Sequence, residues 1–282
     1  MSQFAPDPEA NPGRLDFGAE VAARVEQLEL RDAGHGFDAL GMSREGLERA
    51  LHLARPLYER YFRVRSSGAH NIPASGPVIL ASNHSGMLPL DGMMICVDAF
   101  LRARTPRVVR AVGDYFIPLM PVFSTFFARA GVITGSRGNV RFALEQGELL
   151  LIFPEGAPGI GKSFWNRYQL APWRVGHAEL AIRHGAPIVP VAVIGAEEQW
   201  PVIGRITRLH PFGVPYLPIP LTPLPLPVRY HIHYGLPIPL HEQYRPEDAD
   251  DPEVVAAAAE RVQLAVESLI SAGLAARKGI FR

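Results

Sequence analysis

The residues with the clearest chemical potential lie in SNHSGMLPLDG, residues 82–92. His84 follows an apolar run, GPVILAS, and Asp91 lies seven positions later. A neutral imidazole can take a proton from a hydroxyl as that oxygen attacks a carbonyl. A carboxylate behind it fixes the tautomer and stabilises the imidazolium. Gly86 and Pro89 give the loop room to fold Asp91 back on the ring. The chain has no Gly-x-Ser-x-Gly motif and no well-placed cysteine. The protein would then supply the base, and the substrate would supply the nucleophile. Amides at the next helix start could face a developing oxyanion. Spacing alone leaves catalysis and an ordinary strand–helix turn both open.

Two more clusters follow. In GVITGSRGN, residues 131–139, a strand ends before Gly135, Ser136, Arg137 and Gly138. Exposed amides and a guanidinium suit an anion there, and a plain turn with a solvated arginine fits as well. In FPEGAPGIGK, residues 153–162, an apolar strand delivers Glu155 and Gly156. A carboxylate at that place is costly unless it is paired or used. It could anchor a base such as Arg137 or accept hydrogen bonds from a polyol. Gly159, Gly161 and Lys162 look like a phosphate loop, but the Walker spacing is absent. A flexible glycine-rich turn is the plainer reading.

The remaining candidates have bland readings. His231 and His233 share one strand face, yet no acid or cysteine stands close in sequence, which argues against a metal. His177 and His184 read as surface or capping groups, and Cys96 as core. Trp165, Trp173 and Trp200 fit a membrane face or a core equally. Glu197 and Glu198 follow a strand end and read as a solvated loop, with substrate orientation as the alternative.

The elements that must position these groups alternate. Strands are expected at 76–82, 107–112, 131–134, 148–153, 186–195 and 228–234. Helices are expected at 17–32, after an N-cap at Ser43, from Pro89 through 90–101, at 139–146, at 173–184, and from an Asp251 N-cap with Pro252 at N1. This pattern predicts an α/β fold: a mixed, largely parallel sheet flanked by helices, with an N-terminal helical extension. Ligands in such sheets bind at the carboxyl ends of the strands, where all three clusters fall. The expected domains are an extension over 1–61, disordered at its start, a catalytic domain over 62–242, and a C-terminal helix over 243–282 packed on the same domain.

Composition narrows the function. The 282 residues carry 28 basic and 28 acidic side chains, so nothing points to nucleic acid. A single cysteine rules out an internal disulfide and suits a reducing compartment. The N-terminus lacks a basic start followed by an apolar segment, so no secretory signal is expected. Residues 115–128 are uncharged but shorter than the ~20 needed for a span. Residues 209–228 carry seven prolines and cannot run as a helix. Both stretches are expected to touch a membrane without crossing it, or else to pack on the core.

Taken together and in order, the blocks resemble the glycerolipid acyltransferases, the group that includes the lysophosphatidate and lysophospholipid acyltransferases. SNHSGMLPLD resembles the Asn-His…Asp block. GVITGSRGN resembles the second block through Gly131, Ile133, Arg137 and Asn139. FPEG matches the third, and APIVPV, residues 186–191, the fourth. GAHNIPASGPVIL, WRVGHAELA (173–181) and YGLPIPL (234–240) extend the resemblance over roughly 62–242. It implies His84 as base, Asp91 as its partner, and Asn83 and the amides of Gly135 and Ser136 near the substrate. It puts Arg137 near an acceptor phosphate, and Glu155 and Gly156 near the glycerol part. It also implies a thioester donor, acyl-CoA or acyl carrier protein, as co-substrate and no further cofactor. The partners would be a glycerolipid acceptor and a membrane surface, on the cytoplasmic side, in peripheral or monotopic fashion.

Two departures stand out. The common spacing has four residues between His and Asp, whereas six, SGMLPL, stand here. This resembles a branch with a longer loop that bulges at Gly86 and Pro89. The family's arginine shortly after FPEG is absent, and Ala157, Pro158 and Gly159 follow instead. Lys162 would then replace the charge, or the acceptor would be neutral. A thioesterase and an inactive lipid-binding relative are the rival readings.

Overall fold

The computed structural model describes residues 17–85, 88–113, 122–156, 162–206 and 217–281. Its centre is a run of short apolar strands. β1 (Arg65–Ser67), β2 (Val78–Ser82), β3 (Val109–Gly113), β4 (Ile133–Thr134), β5 (Leu149–Ile152), β6 (Ile188–Ile194) and β9 (His231–Tyr234) form a seven-stranded sheet in the order β1-β9-β6-β2-β5-β3-β4. From β6 to β4 every pairing is parallel; β9 runs antiparallel to β6 and parallel to β1. β2 and β6 are buried along their whole lengths. Continuous apolar runs are what a parallel strand covered on both faces requires. Full burial of each Val or Ile there stabilises by roughly 1.5–3 kcal/mol.

Side chains alternate between the two faces. Val78, Leu80, Leu149, Leu151, Val189 and Val191 face one core. Helices α1 (Phe17–Glu26), α2 (Arg44–Pro56) and α3 (Leu90–Arg102) cover it. Ile79, Ala81, Leu150 and Ile188 face the other. There α5 (Arg137–Glu145), α6 (Gly176–His184) and α8 (Pro252–Ala276) pack. Two short helices complete the set: α4 (Phe123–Arg129) and α7 (Ala196–Gln199), the latter buried just after β6. A separate hairpin joins β7 (Val202–Ile206) to β8 (Leu217–Pro220).

The expected caps are present. Ser43 accepts from the Gly46 amide, and Asp251 from those of Glu253 and Val254. Several boundaries differ from expectation. The first helix ends at Glu26, not at 32, because the Arg44 guanidinium takes the carbonyls of Val25 and Leu28. The helix expected from 173 begins at Gly176, because the Arg174 amide pairs with the Pro154 carbonyl. β8 lies inside the proline-rich stretch. Prolines are tolerated there because the hairpin has only edge strands. Among the described residues no helix is long and apolar enough to cross a membrane.

Candidate active site

The parallel strands all end on one side of the sheet; the first and third sequence clusters meet there, and the second lies at the far edge of that side. β2 and β5 are neighbours, so His84 and Glu155 leave adjacent strands. The β2 end is clamped first. The fully buried Asn83 side chain donates Nδ2–H to the Val193 carbonyl at 3.0 Å and accepts from the Val193 amide at 2.8 Å. Both ends of the amide are thus engaged by β6, and Asn83 sets the position of the next residue.

His84 Nδ1 lies 2.7 Å from Asp91 Oδ2. That oxygen also accepts from the Ser85 amide at 2.8 Å, and Oδ1 accepts from the Gly92 amide at 2.8 Å. With all these acceptor sites filled, the carboxylate has one orientation. Pro89 sits at the start of α3, and Asp91 occupies the first helical turn. The bulge expected at Gly86 falls outside the described residues. Phe153 stacks on the imidazole, with ring centroids 4.1 Å apart at 26°. The ring is therefore fixed by a carboxylate at one nitrogen and an aromatic on one face. The helix-start amides of Leu90 and Gly92 are engaged by Leu88 and Asp91.

Glu155 is a strut. Oε1 accepts from the His84 amide at 3.1 Å, and Oε2 from the Ala171 amide at 2.9 Å. Its cationic partner is Lys162, at 2.6 Å. Arg137 does not reach it. That residue is 94% exposed and stands 3.8 Å from Glu179. The reason is topological: α5 starts just after β4, the edge strand, with β3 and β5 between β4 and β2, so Arg137 begins about three strand spacings, ~14 Å, from His84. Ser136 Oγ accepts from the Asn139 amide and so caps α5. Gly135 donates to Gly113 across the β3–β4 edge. Gly156 holds φ +59°, and the Arg174 guanidinium lies so near that a Cβ would sit 3.2 Å from Cζ.

Lys162 bridges Glu155 to Glu197, the latter at 3.5 Å. The solvated loop expected at Glu197–Glu198 is instead buried. Burial pushes the Glu197 carboxyl up to about 7, against the pull of Lys162 and the Tyr168 amide. Glu198 takes a two-pronged contact from Arg277, at 2.6 and 2.7 Å. His177 is also buried rather than at the surface. It bonds the Arg174 carbonyl, and desolvation lowers it to about 4. Burial lowers His231 and His233 to about 4 as well. Among the described residues no group of three or more His, Cys, Asp or Glu could hold a metal. Cys96, on α3, packs against the core.

Sequence reasoning missed Phe153, Tyr168 and Arg174 around this site. Phe153 sits inside the quoted FPEG block, so adjacency was its only signal. Arg174 stands in the quoted WRVGHAELA without having been singled out, and Tyr168 lies in no quoted block.

A family model described as Acyltransferase matches residues 63–194, which spans every element just described from β1 to β6. Residues 63–194 form a domain of the acyltransferase family. An uncharacterized protein of Mycobacterium tuberculosis is 36% identical over 81% of this chain. The chain spans about two thirds of that relative, 66% of its length. A Gallus gallus protein named DGAT1/2-independent enzyme synthesizing storage lipids is 27% identical over 61% of this chain and 51% of its own. Among solved structures, the 1-acyl-sn-glycerophosphate (LPA) acyltransferase PlsC from Thermotoga maritima superposes with a TM-score of 0.57 at 17% identity. The match covers 93% of this chain and 90% of that one. That likeness establishes a shared fold.

Proposed function

We propose that this chain transfers a fatty acyl group from a thioester, acyl-CoA or an acyl carrier protein, to a glycerolipid hydroxyl. The observation that carries the proposal is the 2.7 Å contact between His84 Nδ1 and the buried Asp91 carboxylate. If Nδ1–H donates to Asp91, Nε2 holds the lone pair that a general base needs. The acceptor hydroxyl gives its proton to Nε2 as its oxygen bonds to the thioester carbonyl carbon. The carbon–sulfur bond then breaks, and the departing thiolate takes the proton back. Asn83 and Glu155 act on the backbone around His84 rather than on the acceptor. The glycerolipid class is supported by the names of the chicken relative and of PlsC. It is also supported by the order of the four sequence blocks.

The proposal includes a membrane surface, reached from the cytoplasmic side. Val122 is 81% exposed, Trp165 69% and Leu224 71%. Exposed apolar groups of this size suit an interface. Flotation with liposomes should weaken when Val122, Phe123, Leu221 and Leu224 become serine. Flotation at wild-type level would sink this part.

Thiol release from acyl-CoA, with lysophosphatidate, monoacylglycerol and diacylglycerol offered in parallel, tests the activity. Release that needs an acceptor and vanishes in His84→Ala is expected. Full release without any acceptor would instead point to a thioesterase. Lipid binding without release in either protein would point to an inactive relative.

A further inference from the structure

We infer that Arg174 is the residue that recognises a phosphate on the acceptor lipid, in place of the arginine missing after FPEG. The basic side chain absent from the sequence at Ala157 is supplied by WRVGHAELA, 18 residues after Gly156. Arg174 is exposed, its amide is bonded to the Pro154 carbonyl at 3.0 Å, and its guanidinium covers Gly156. The close approach favours glycine. A Cβ at Gly156 would come within 3.2–3.5 Å of three guanidinium atoms, and φ +59° itself disfavours a side chain.

The other cations near the site are already committed. Lys162 lies between Glu155 and Glu197. Arg277 holds Glu198, and Arg137 and Arg183 share Glu179. Among the described residues no carboxylate pairs with Arg174. Its place is also closer to the chemistry than that of Arg137. It rests on the end of β5, one strand spacing (~5 Å) from β2, against three for the α5 start. A planar guanidinium fork suits phosphate oxygens, which it can grip with two parallel N–H bonds.

This inference rests on the acyl-transfer reading for the lipid's identity, so its test is made on binding rather than turnover. A water-soluble, short-chain lysophosphatidate and the monoacylglycerol of the same chain are titrated by calorimetry into His84→Ala protein. The titration is repeated with Arg174→Gln and Arg174→Lys added. Coenzyme A is titrated in a third arm, because its phosphates are the other source of the same chemistry. Arg174→Gln should cut the preference for lysophosphatidate over monoacylglycerol by on the order of 10- to 100-fold, with Arg174→Lys restoring part of it. Unchanged preference, an equal loss for both lipids, a loss confined to coenzyme A, or no lysophosphatidate binding by the parent would each overturn it. Discrimination by Arg174 in a wild-type protein that transfers no acyl group would sink the acyl-transfer reading and leave this one standing.

Discussion

Asp91 and Asp98 lie seven residues apart on α3, two turns along the same face. Both are fully buried. Asp98 accepts from two phenols, Tyr58 at 2.6 Å and Tyr234 at 3.0 Å, and so ties α3 to the end of α2 and to β9. Burial raises its carboxyl, and these hydrogen bonds pull it back. Asp91 accepts instead from one imidazole and two backbone amides. A phenol of ordinary pKa near 10 keeps its proton at neutral pH, whereas an imidazole near 6.5 trades it. The same carboxylate on the same helix face is therefore a tie in one place and, in the proposed mechanism, the partner of the proton-transferring imidazole in the other. Burial does not separate the two roles; the partner does.

The largest expected effect breaks the pair at the active end. Asp91→Asn should lower acyl transfer on the order of 10³- to 10⁴-fold, since the amide permits the wrong imidazole tautomer. It should also cost about 1–3 kcal/mol of stability, because the amide nitrogen must face one of the backbone N–H groups that the carboxylate accepts. Next comes the strut that holds the His84 backbone. Lys162→Met leaves Glu155 and Glu197 buried without a shared cation, and should cost roughly 3–5 kcal/mol in denaturant unfolding. Asp98→Asn should part from the Asp91 result in activity alone, with about 1–3 kcal/mol lost in stability and kcat retained per folded molecule. Were Asp98→Asn to abolish kcat at full stability, the division of labour along α3 would fail.

The smallest effect is a pH dependence. Burial raises the Glu197 carboxyl from 4.5 to about 7 in the folded chain. The folded state then holds a proton that the unfolded state releases, so this group's contribution to stability falls as pH rises from about 4.5 to about 7. His177, His231 and His233, lowered to about 4, act in the opposite direction over an overlapping range. The test is thus a difference. The stability of Glu197→Gln minus that of wild type should grow across this window and level off above it. A flat difference would show that Glu197 is ionised throughout.

Legibility in the sequence followed the range of the forces involved. The strands at Val78–Ser82, Leu149–Ile152 and Ile188–Ile194 are readable because burial on both faces demands unbroken apolar runs. The start of α3 is readable from Pro89, and the start of α8 from Asp251 and Pro252, since caps act over three or four residues. The proximity of His84 to Asp91 is local too, within one loop and one helical turn. What escaped is long-range. That Glu155 chooses Lys162 over Arg137 depends on strand order, which no local pattern carries. The burial of Glu197 and Glu198 depends on Lys162, Tyr168 and Arg277, the last 79 residues from Glu198. The short β1 has two serines and no apolar run, and its pairing with β9 alone defines it.

The central claim is that His84 and Asp91 work as one unit in acyl transfer. A double-mutant cycle on acceptor-dependent thiol release measures this directly, with His84→Ala, Asp91→Asn and the two combined. Residues acting as a unit are strongly non-additive. The account predicts that the double variant is no slower than His84→Ala alone. Losses that multiply, or a His84→Ala protein that keeps its rate, would contradict it.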